Sequence, residues 1–269
     1  MDKLFEILHE DADLLIINKP ADLVCHPTKG DVYSSLISRV RLHLGPDAQP
    51  RLINRLDRET SGVTVVAKNP ASAGELGTLW AARLVEKEYL AIVRGHPVET
   101  NGWIEAALGK DLRSAVAIKD GVRADGLPAR TEFRVERKFV RTTHPRTAVP
   151  PPHASPETAG TPGQSFSLLR VIPHTGRKHQ IRIHLAYRGH PIVGDKLYGG
   201  DESFYLALVE RRLTPEQRER LLLPHQALHA RVVRFAWRGR TWEFGCEPEP
   251  WFRDFLNGPP TSPEPARGR

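Results

Sequence analysis

Between two apolar runs, Thr131–Val140 and Phe166–Ile172, stands RTTHPRTAVPPPHASPETAGTPGQS (141–165), a stretch with six prolines and almost no large apolar side chain. Proline fixes φ and removes a backbone donor, so neither helix nor strand propagates through such a segment, and nothing in it anchors to a core. It reads as an insertion, which leaves the flanking runs to find each other. Phe133 and Val135 alternate with Arg134 and Glu136 at the period of a strand, and Phe166–Ile172 is continuously apolar. The two are expected to pair across a sheet.

Other short runs extend that sheet. Leu4–Leu8 and Leu14–Asn18 flank a polar turn at Glu10–Asp13, with Lys19-Pro20 ending the second run. Tyr89–Val93 reads as a buried strand. Val32–Leu44 has helical spacing at Leu36, Val40 and Leu44, and Pro70–Leu84 reads as a helix with Leu76, Leu79 and Leu84 turned inward. Thr214-Pro215-Glu216-Gln217 carries an N-cap, a proline at the first helical position and a glutamine at the third, the start of a helix. The Pro-rich tail from Gly258 to Arg269 is expected to be disordered. One unit over 1–257, interrupted by 141–165, is the expected organisation.

With 39% hydrophobic residues the 269-residue chain can bury a sizeable core. Lys and Arg outnumber Asp and Glu by 39 to 32, a net charge of +7 and a pI near 9.6, which favours a polyanionic partner. Residues 161–190 concentrate this charge: Arg170, Arg177, Lys178, Arg182 and Arg188, with no acid. The two cysteines, Cys25 and Cys246, have no zinc-site spacing and suit a reducing compartment. No run approaches the roughly 20 apolar residues of a membrane span. A cytoplasmic, monomeric protein without metal or cofactor is the expectation.

Two clusters carry candidate chemistry. In Asn54-Arg55-Leu56-Asp57-Arg58-Glu59-Thr60-Ser61-Gly62 one carboxylate sits between two arginines, with Ser61-Gly62 read as a tight turn and Val63–Ala67 as a strand. Carboxylates repel phosphate; Arg55 and Arg58 supply the counter-charge that lets a nucleic-acid backbone approach Asp57. Taken alone, the same residues also describe a solvated ion pair. The second cluster, His174-Thr175-Gly176-Arg177-Lys178-His179-Gln180-Ile181-Arg182-Ile183-His184-Leu185, reads as a glycine turn opening a basic helix that Gly189 ends. If the helix begins near Arg177, its free N–H groups add to the charge of Arg177, Lys178 and Arg182. His174, His179 and His184, five apart, fall on different faces and fit neutral or phosphate-contacting roles better than a metal site.

These clusters, together with Ile17-Asn18-Lys19-Pro20, Lys87–Gly95, Gly189–Gly199, Leu228-His229-Ala230 and Glu249-Pro250-Trp251-Phe252, occur in the order found in RluA-type RNA pseudouridine synthases. The chain resembles that family over almost its whole length. The resemblance implies an α+β fold, a mixed, mainly antiparallel sheet in two subdomains with the active-site cleft between them. It implies Asp57 as the catalytic aspartate, Tyr89 as the tyrosine against the target base, Arg182 as the partner of the aspartate, and Arg55 as the side chain that enters the helix stack when uridine leaves. Arg58, Arg177 and Lys178 are read as contacts to the RNA backbone, and Asp195 as a turn residue with Tyr198 packed nearby. No S4-like RNA-binding domain is expected ahead of the catalytic part. Asn54 departs from the family, where a histidine commonly stands, and is expected to alter a local hydrogen bond.

Isomerising uridine to pseudouridine breaks the C1′–N1 bond and joins C5 to C1′ without redox change, so no cofactor is called for. An ionised carboxylate can attack carbon or take a proton, and a bidentate guanidinium at position 182 opposes the pKa rise that burial brings. The base must flip from its stack, at a cost of a few kcal/mol, and Tyr89 offers it an aromatic face. The expected substrate is structured rRNA or tRNA. Three alternatives stay open at this stage: an RNA-binding or RNA-folding protein with secondary or lost catalysis, a glycosidase pairing Asp57 with Glu59 on one strand, and, for 141–165, an RNA-contacting flap.

Overall fold

The computed structural model describes residues 5–27, 34–142 and 163–258. Most of the Pro-rich stretch and the tail beyond Gly258 lie outside the described residues. In chain order the elements are β1 (Glu6–Glu10), β2 (Leu14–Lys19), α1 (Leu36–Leu44), β3 (Arg51–Leu52), β4 (Ser61–Ala67), α2 (Pro70–Ala81), β5 (Val85–Arg94) and β6 (Asn101–Glu105). They continue with β7 (Leu108–Lys110), β8 (Asp120–Val122), β9 (Arg130–Arg141), β10 (Gln164–Pro173), α3 (Gln180–Tyr187), α4 (Ser203–Val209), α5 (Pro215–Leu221), β11 (Leu228–Trp237), β12 (Arg240–Gly245) and α6 (Pro250–Asn257).

One ten-stranded sheet runs β1-β2-β4-β11-β5-β10-β9-β6, with β12 on β11 and β3 on β4; β7 and β8 form a separate hairpin. Every ladder of the large sheet is antiparallel except β4 with β11, so the mixed, mainly antiparallel α+β fold is observed. The expected pairing across the proline segment is also observed, from Gln164 opposite Arg141 to Pro173 opposite Thr131. The insertion is shorter than the composition suggests, because Arg141, Gln164 and Ser165 already belong to strands.

Side-chain alternation explains how the sheet is covered on both faces. In β2, Leu15 and Ile17 pack with Leu36 and Val40 of α1, while Leu14 and Ile16 pack with Leu76 of α2. A third cluster joins β5 and β10 to Ile181 and Leu185 of α3 and Phe252 of α6. Each fully buried Leu, Ile or Phe contributes about 1.5–3 kcal/mol. Thr214 forms the full capping box of α5 where the sequence placed a cap, and Asn69, not singled out in the sequence, caps α2 ahead of Pro70.

Several boundaries differ from the sequence reading. The first strand runs to Glu10, so its turn starts at Asp11, whose carboxylate accepts from the N–H groups of Asp13 and Leu14. Helix α1 starts after Ser35, because the Ser35 hydroxyl caps it by accepting from the Ser38 N–H. Helix α2 stops at Ala81, and the left-handed Arg83 turns Leu84 outward, leaving it 64% exposed. Ser61-Gly62 is not a turn. It opens β4, and the turn is Asp57–Thr60, closed by the Thr60 N–H donating to the Asp57 carbonyl at 3.1 Å.

Gly62 shows why the strand can begin there. Its φ is +113°, and a Cβ would meet the Ala230 carbonyl oxygen at 2.2 Å. Ala230 lies opposite Gly62 on one side and Tyr89 on the other, so one row across three strands ties the Asp57 loop to Tyr89. Gly62→Ala is expected to cost roughly 2–5 kcal/mol from backbone strain plus overpacking. A drop in the urea midpoint at unchanged slope would register it.

Candidate active site

Where the parallel β4–β11 ladder meets β5, a cleft of about 640 Å³ opens between the Asp57 loop and the segment leading into α3. Arg55, Asp57, Arg58, Tyr89, Arg177, Lys178 and Arg182 all line it. The two sequence clusters therefore share one wall-to-wall site although residues 57 and 182 are far apart in the chain.

Arg182 organises the site. Its side chain is 9% exposed, and its Nε and Nη2 donate to the two carboxylate oxygens of Asp195 at 2.7 and 2.9 Å. Nη1 donates to Asp57 Oδ2 at 2.7 Å. Asp195 itself is fully buried, and its Oδ1 also accepts the backbone N–H groups of Leu197 and Tyr198. The turn role read for Asp195 is thus observed, with Tyr198 close by. What the sequence reading missed is that this turn carboxylate is the first partner of Arg182. The glycine-rich context of GDKLYG pointed only to a turn; nothing local marks which distant cation it meets.

Burial pushes the Asp57 carboxyl up, but the Arg182 charge, His179 and the Arg182 hydrogen bond outweigh it, and the net pKa is lowered. Asp195 behaves likewise: burial raises it, and Arg182 with the two backbone donors brings it below the ordinary value. Burial opposes the charge of Arg182, yet the two carboxylates raise its pKa overall. Asp57 keeps 30% of its side chain exposed to the cleft, so it is an ionised carboxylate with one oxygen held and one free face.

Buried cations fix the loop that carries it. Lys19 is fully buried and donates to the carbonyls of Pro20, Leu23 and Arg58 at 2.8, 2.8 and 3.1 Å; desolvation pushes its pKa down to about 8. Lys196 pairs with Glu59 at 2.8 Å. Glu59 therefore serves the loop, and Asp57 and Glu59 sit in a turn instead of on a strand, which removes the geometry of the glycosidase reading. Asn54, the departure from the family pattern, donates to the Val63 carbonyl and accepts from the Val65 N–H, stitching the loop to β4.

The remaining candidates divide by their partners. Arg55 is exposed at the rim and makes no hydrogen bond or ion pair among the described residues. Arg58 donates to Asp22 at 2.7 Å, Lys178 pairs with Asp120 at 2.9 Å, and Arg177 Nε donates to the Pro128 carbonyl. Tyr89 is half-buried; burial and the nearby Asp57 charge raise its pKa, which keeps the phenol neutral. Helix α3 starts at Gln180, not near Arg177, because the left-handed His179 breaks the helical path. The turn before it is held by the Gln180 side chain, whose Oε1 accepts from Thr175 Oγ1 and the Arg177 N–H. His184 is buried on Thr131 and the Ala106 carbonyl, while His179 faces Asp57. Among the described residues no cluster of three or more His, Cys, Asp or Glu could hold a metal, and no helix is long and apolar enough to cross a membrane.

The family profile described as RNA pseudouridylate synthase matches residues 13–187. The chain belongs to this family. Within the pseudouridylate synthases it is of the RluA type that its motifs resemble. It is 37% identical over 240 residues to an uncharacterized RNA pseudouridine synthase of Chlorobaculum parvum, covering 85% of this chain and 65% of that relative. It is 35% identical over 233 residues to the ribosomal large subunit pseudouridine synthase D of Nitrosomonas europaea, covering 84% and 56%. The chain thus spans less than two thirds of either relative. Human RNA pseudouridylate synthase domain containing 1 has a similar structure, with TM-score 0.66, 26% identity, and coverage of 93% of this chain and 86% of that one.

Removing Asp195 leaves a buried guanidinium short of its main counter-charge. Asp195→Asn should destabilise the pseudouridylate synthase fold by on the order of 3 kcal/mol. The folded pKa values of Asp57 and Asp195 are lowered, so the stabilisation they bring is fully present above about pH 4 and is lost as pH falls through their folded values. Urea midpoints measured from about pH 7 to pH 3 should fall on the acid side in the wild type and fall less steeply in Asp195→Asn.

Proposed function

We propose that the chain is an RNA pseudouridine synthase that isomerises specific uridines in structured RNA, with ribosomal RNA the first substrate to try. The observation that carries this reading is the Arg182 bridge: a guanidinium anchored by Asp195 donates a third hydrogen bond to Asp57 at 2.7 Å inside the cleft that Tyr89 lines. Ribosomal RNA is favoured over tRNA by the name of the Nitrosomonas relative.

In this reading Asp57 is the catalytic carboxylate. Attack at C1′, addition at C6 and proton removal from C2′ each need it ionised, which the Arg182 bridge secures. The flipped uracil lies against Tyr89, where stacking contributes about 1–3 kcal/mol. Arg55, without a hydrogen-bond or ion-pair partner among the described residues, fills the space the base leaves. Arg58, Arg177 and Lys178 reach the RNA backbone from the cleft edge, the first and last by exchanging a carboxylate for a phosphate.

Purified protein incubated with ribosomal RNA transcribed without pseudouridine should create it at defined positions, mapped by chemical labelling. Asp57→Asn should abolish formation while RNA affinity changes little. If Asp57→Asn restores a deletion strain as well as wild type does, RNA binding is the function and this reading fails. Arg182→Lys keeps the charge but cannot serve Asp195 in bidentate fashion and Asp57 as well. It should lower kcat by roughly 100-fold or more, the scale of a misplaced reacting group.

A further inference from the structure

His179 is a polar side chain beside Asp57 that the proposed function leaves without a task. It sits directly before α3 with φ of 55°, a left-handed backbone that costs a non-glycine residue roughly 1–2 kcal/mol. Such strain persists where the surroundings over-determine it. Here the ring supplies the constraint. Nδ1 lies 2.9 Å from the Tyr198 hydroxyl, Nε2 lies 3.9 Å from Asp57 Oδ1, and the side chain is 10% exposed.

The donors in this chain can be counted. The Tyr198 hydroxyl accepts the backbone N–H of Asp120 at 3.3 Å. Its own proton then has one acceptor among the described residues, His179 Nδ1. A ring that accepts at Nδ1 and is neutral carries its proton on Nε2, the nitrogen turned toward Asp57. The ring stays neutral because burial, opposed by Asp57 and reinforced by Arg182, drives His179 down to about 4; Asp195 and Lys178 are the other charges acting on it. Tyr198 is itself steadied by the Arg182 guanidinium 5.0 Å from its ring centre and by edge contact with His179. The two oxygens of Asp57 thus face different groups, Oδ2 a cation and Oδ1 a neutral donor.

We propose that His179 is a positioning residue of this site: as the Nε2–H tautomer set by Tyr198, it closes onto Asp57 Oδ1 when RNA enters and holds the carboxylate's reactive orientation while Arg182 holds Oδ2. Catalytic hydrogen bonds are commonly long without substrate and tighten in the complex, which suits 3.9 Å. The inference rests on Asp57 being the catalytic carboxylate of the proposed function. It differs from a general-base role, since a protonated Nε2 has no lone pair to offer there.

The test pairs substitutions with a tautomer measurement. His179→Ala and His179→Asn should both lower kcat, roughly 10- to 100-fold as for a misoriented reacting group, with KM changed little, and both should shift the acid limb of the pH profile upward because Asp57 loses a donor. Asparagine tolerates the left-handed backbone but is too short to reach Asp57, so a loss in His179→Asn separates the donor from mere backbone strain. His179→Gln, whose amide nitrogen reaches the place of Nε2, should recover part of the rate, and Tyr198→Phe should show a smaller loss in the same direction. Ring ¹⁵N NMR of the full chain should find the Nε2–H form. An Nδ1–H form, wild-type kcat in His179→Asn, or a loss confined to KM with an unmoved acid limb would each overturn the proposal. A wild type that forms no pseudouridine on any RNA overturns the function reading instead, and the NMR result still decides the tautomer.

Discussion

A guanidinium buried between two carboxylates is the interaction on which the site depends. Asp195 neutralises Arg182 with two hydrogen bonds and is held in turn by two backbone N–H groups. Asp57 receives only the third bond, on one oxygen. That division keeps Asp57 charged while leaving it open to the cleft: an isolated buried carboxylate would protonate. Replacing Arg182 would leave two carboxylates without their cation, and replacing Asp195 would strip the guanidinium of its bidentate partner, so Asp57 depends on both.

The sheet delivers the two halves of this unit to one point. The parallel ladder of β4 on β11 brings the Asp57 loop beside the strand that also pairs with Tyr89. Strand β10 then ends at Pro173, and the turn beyond it aims α3, with Arg182 on its first turn, back over the cleft. Lys19 and Lys196 hold the Asp57 loop from beneath by donating to its carbonyls and to Glu59. Their burial identifies them as struts, although a lysine in a basic sequence reads first as surface charge.

Much of this was legible along the chain. The proline segment separated two runs that do pair, the cap of α5 stood where Thr214 and Pro215 announced it, and all the named site residues line one cleft. The failures share a cause. Ser61-Gly62 looked like a turn because glycine favours turns, but Gly62 is needed for close approach to the Ala230 carbonyl, a contact made across 168 residues of chain. Leu84 looked inward by helical period, but the helix had already ended. The basic helix looked as if it began near Arg177, but its first turn is displaced by a left-handed histidine whose ring is committed to Tyr198 and Asp57.

By itself the sequence determined the individual strands and helices, which residue types the site contains and, through the family its ordered motifs resemble, the α+β class, because periodicity, caps and motif order are properties of neighbours along the chain. Only the tertiary structure decided who holds whom: that Asp195 is the anchor of Arg182, that Glu59 is held by Lys196, that Arg58 and Lys178 meet carboxylates while Arg55 meets none among the described residues, and that His179 turns a nitrogen toward Asp57. The reason is electrostatic. A charge's behaviour depends on what lies within a few ångströms of it and on how much water remains, and both are set by residues that the chain brings together from far away.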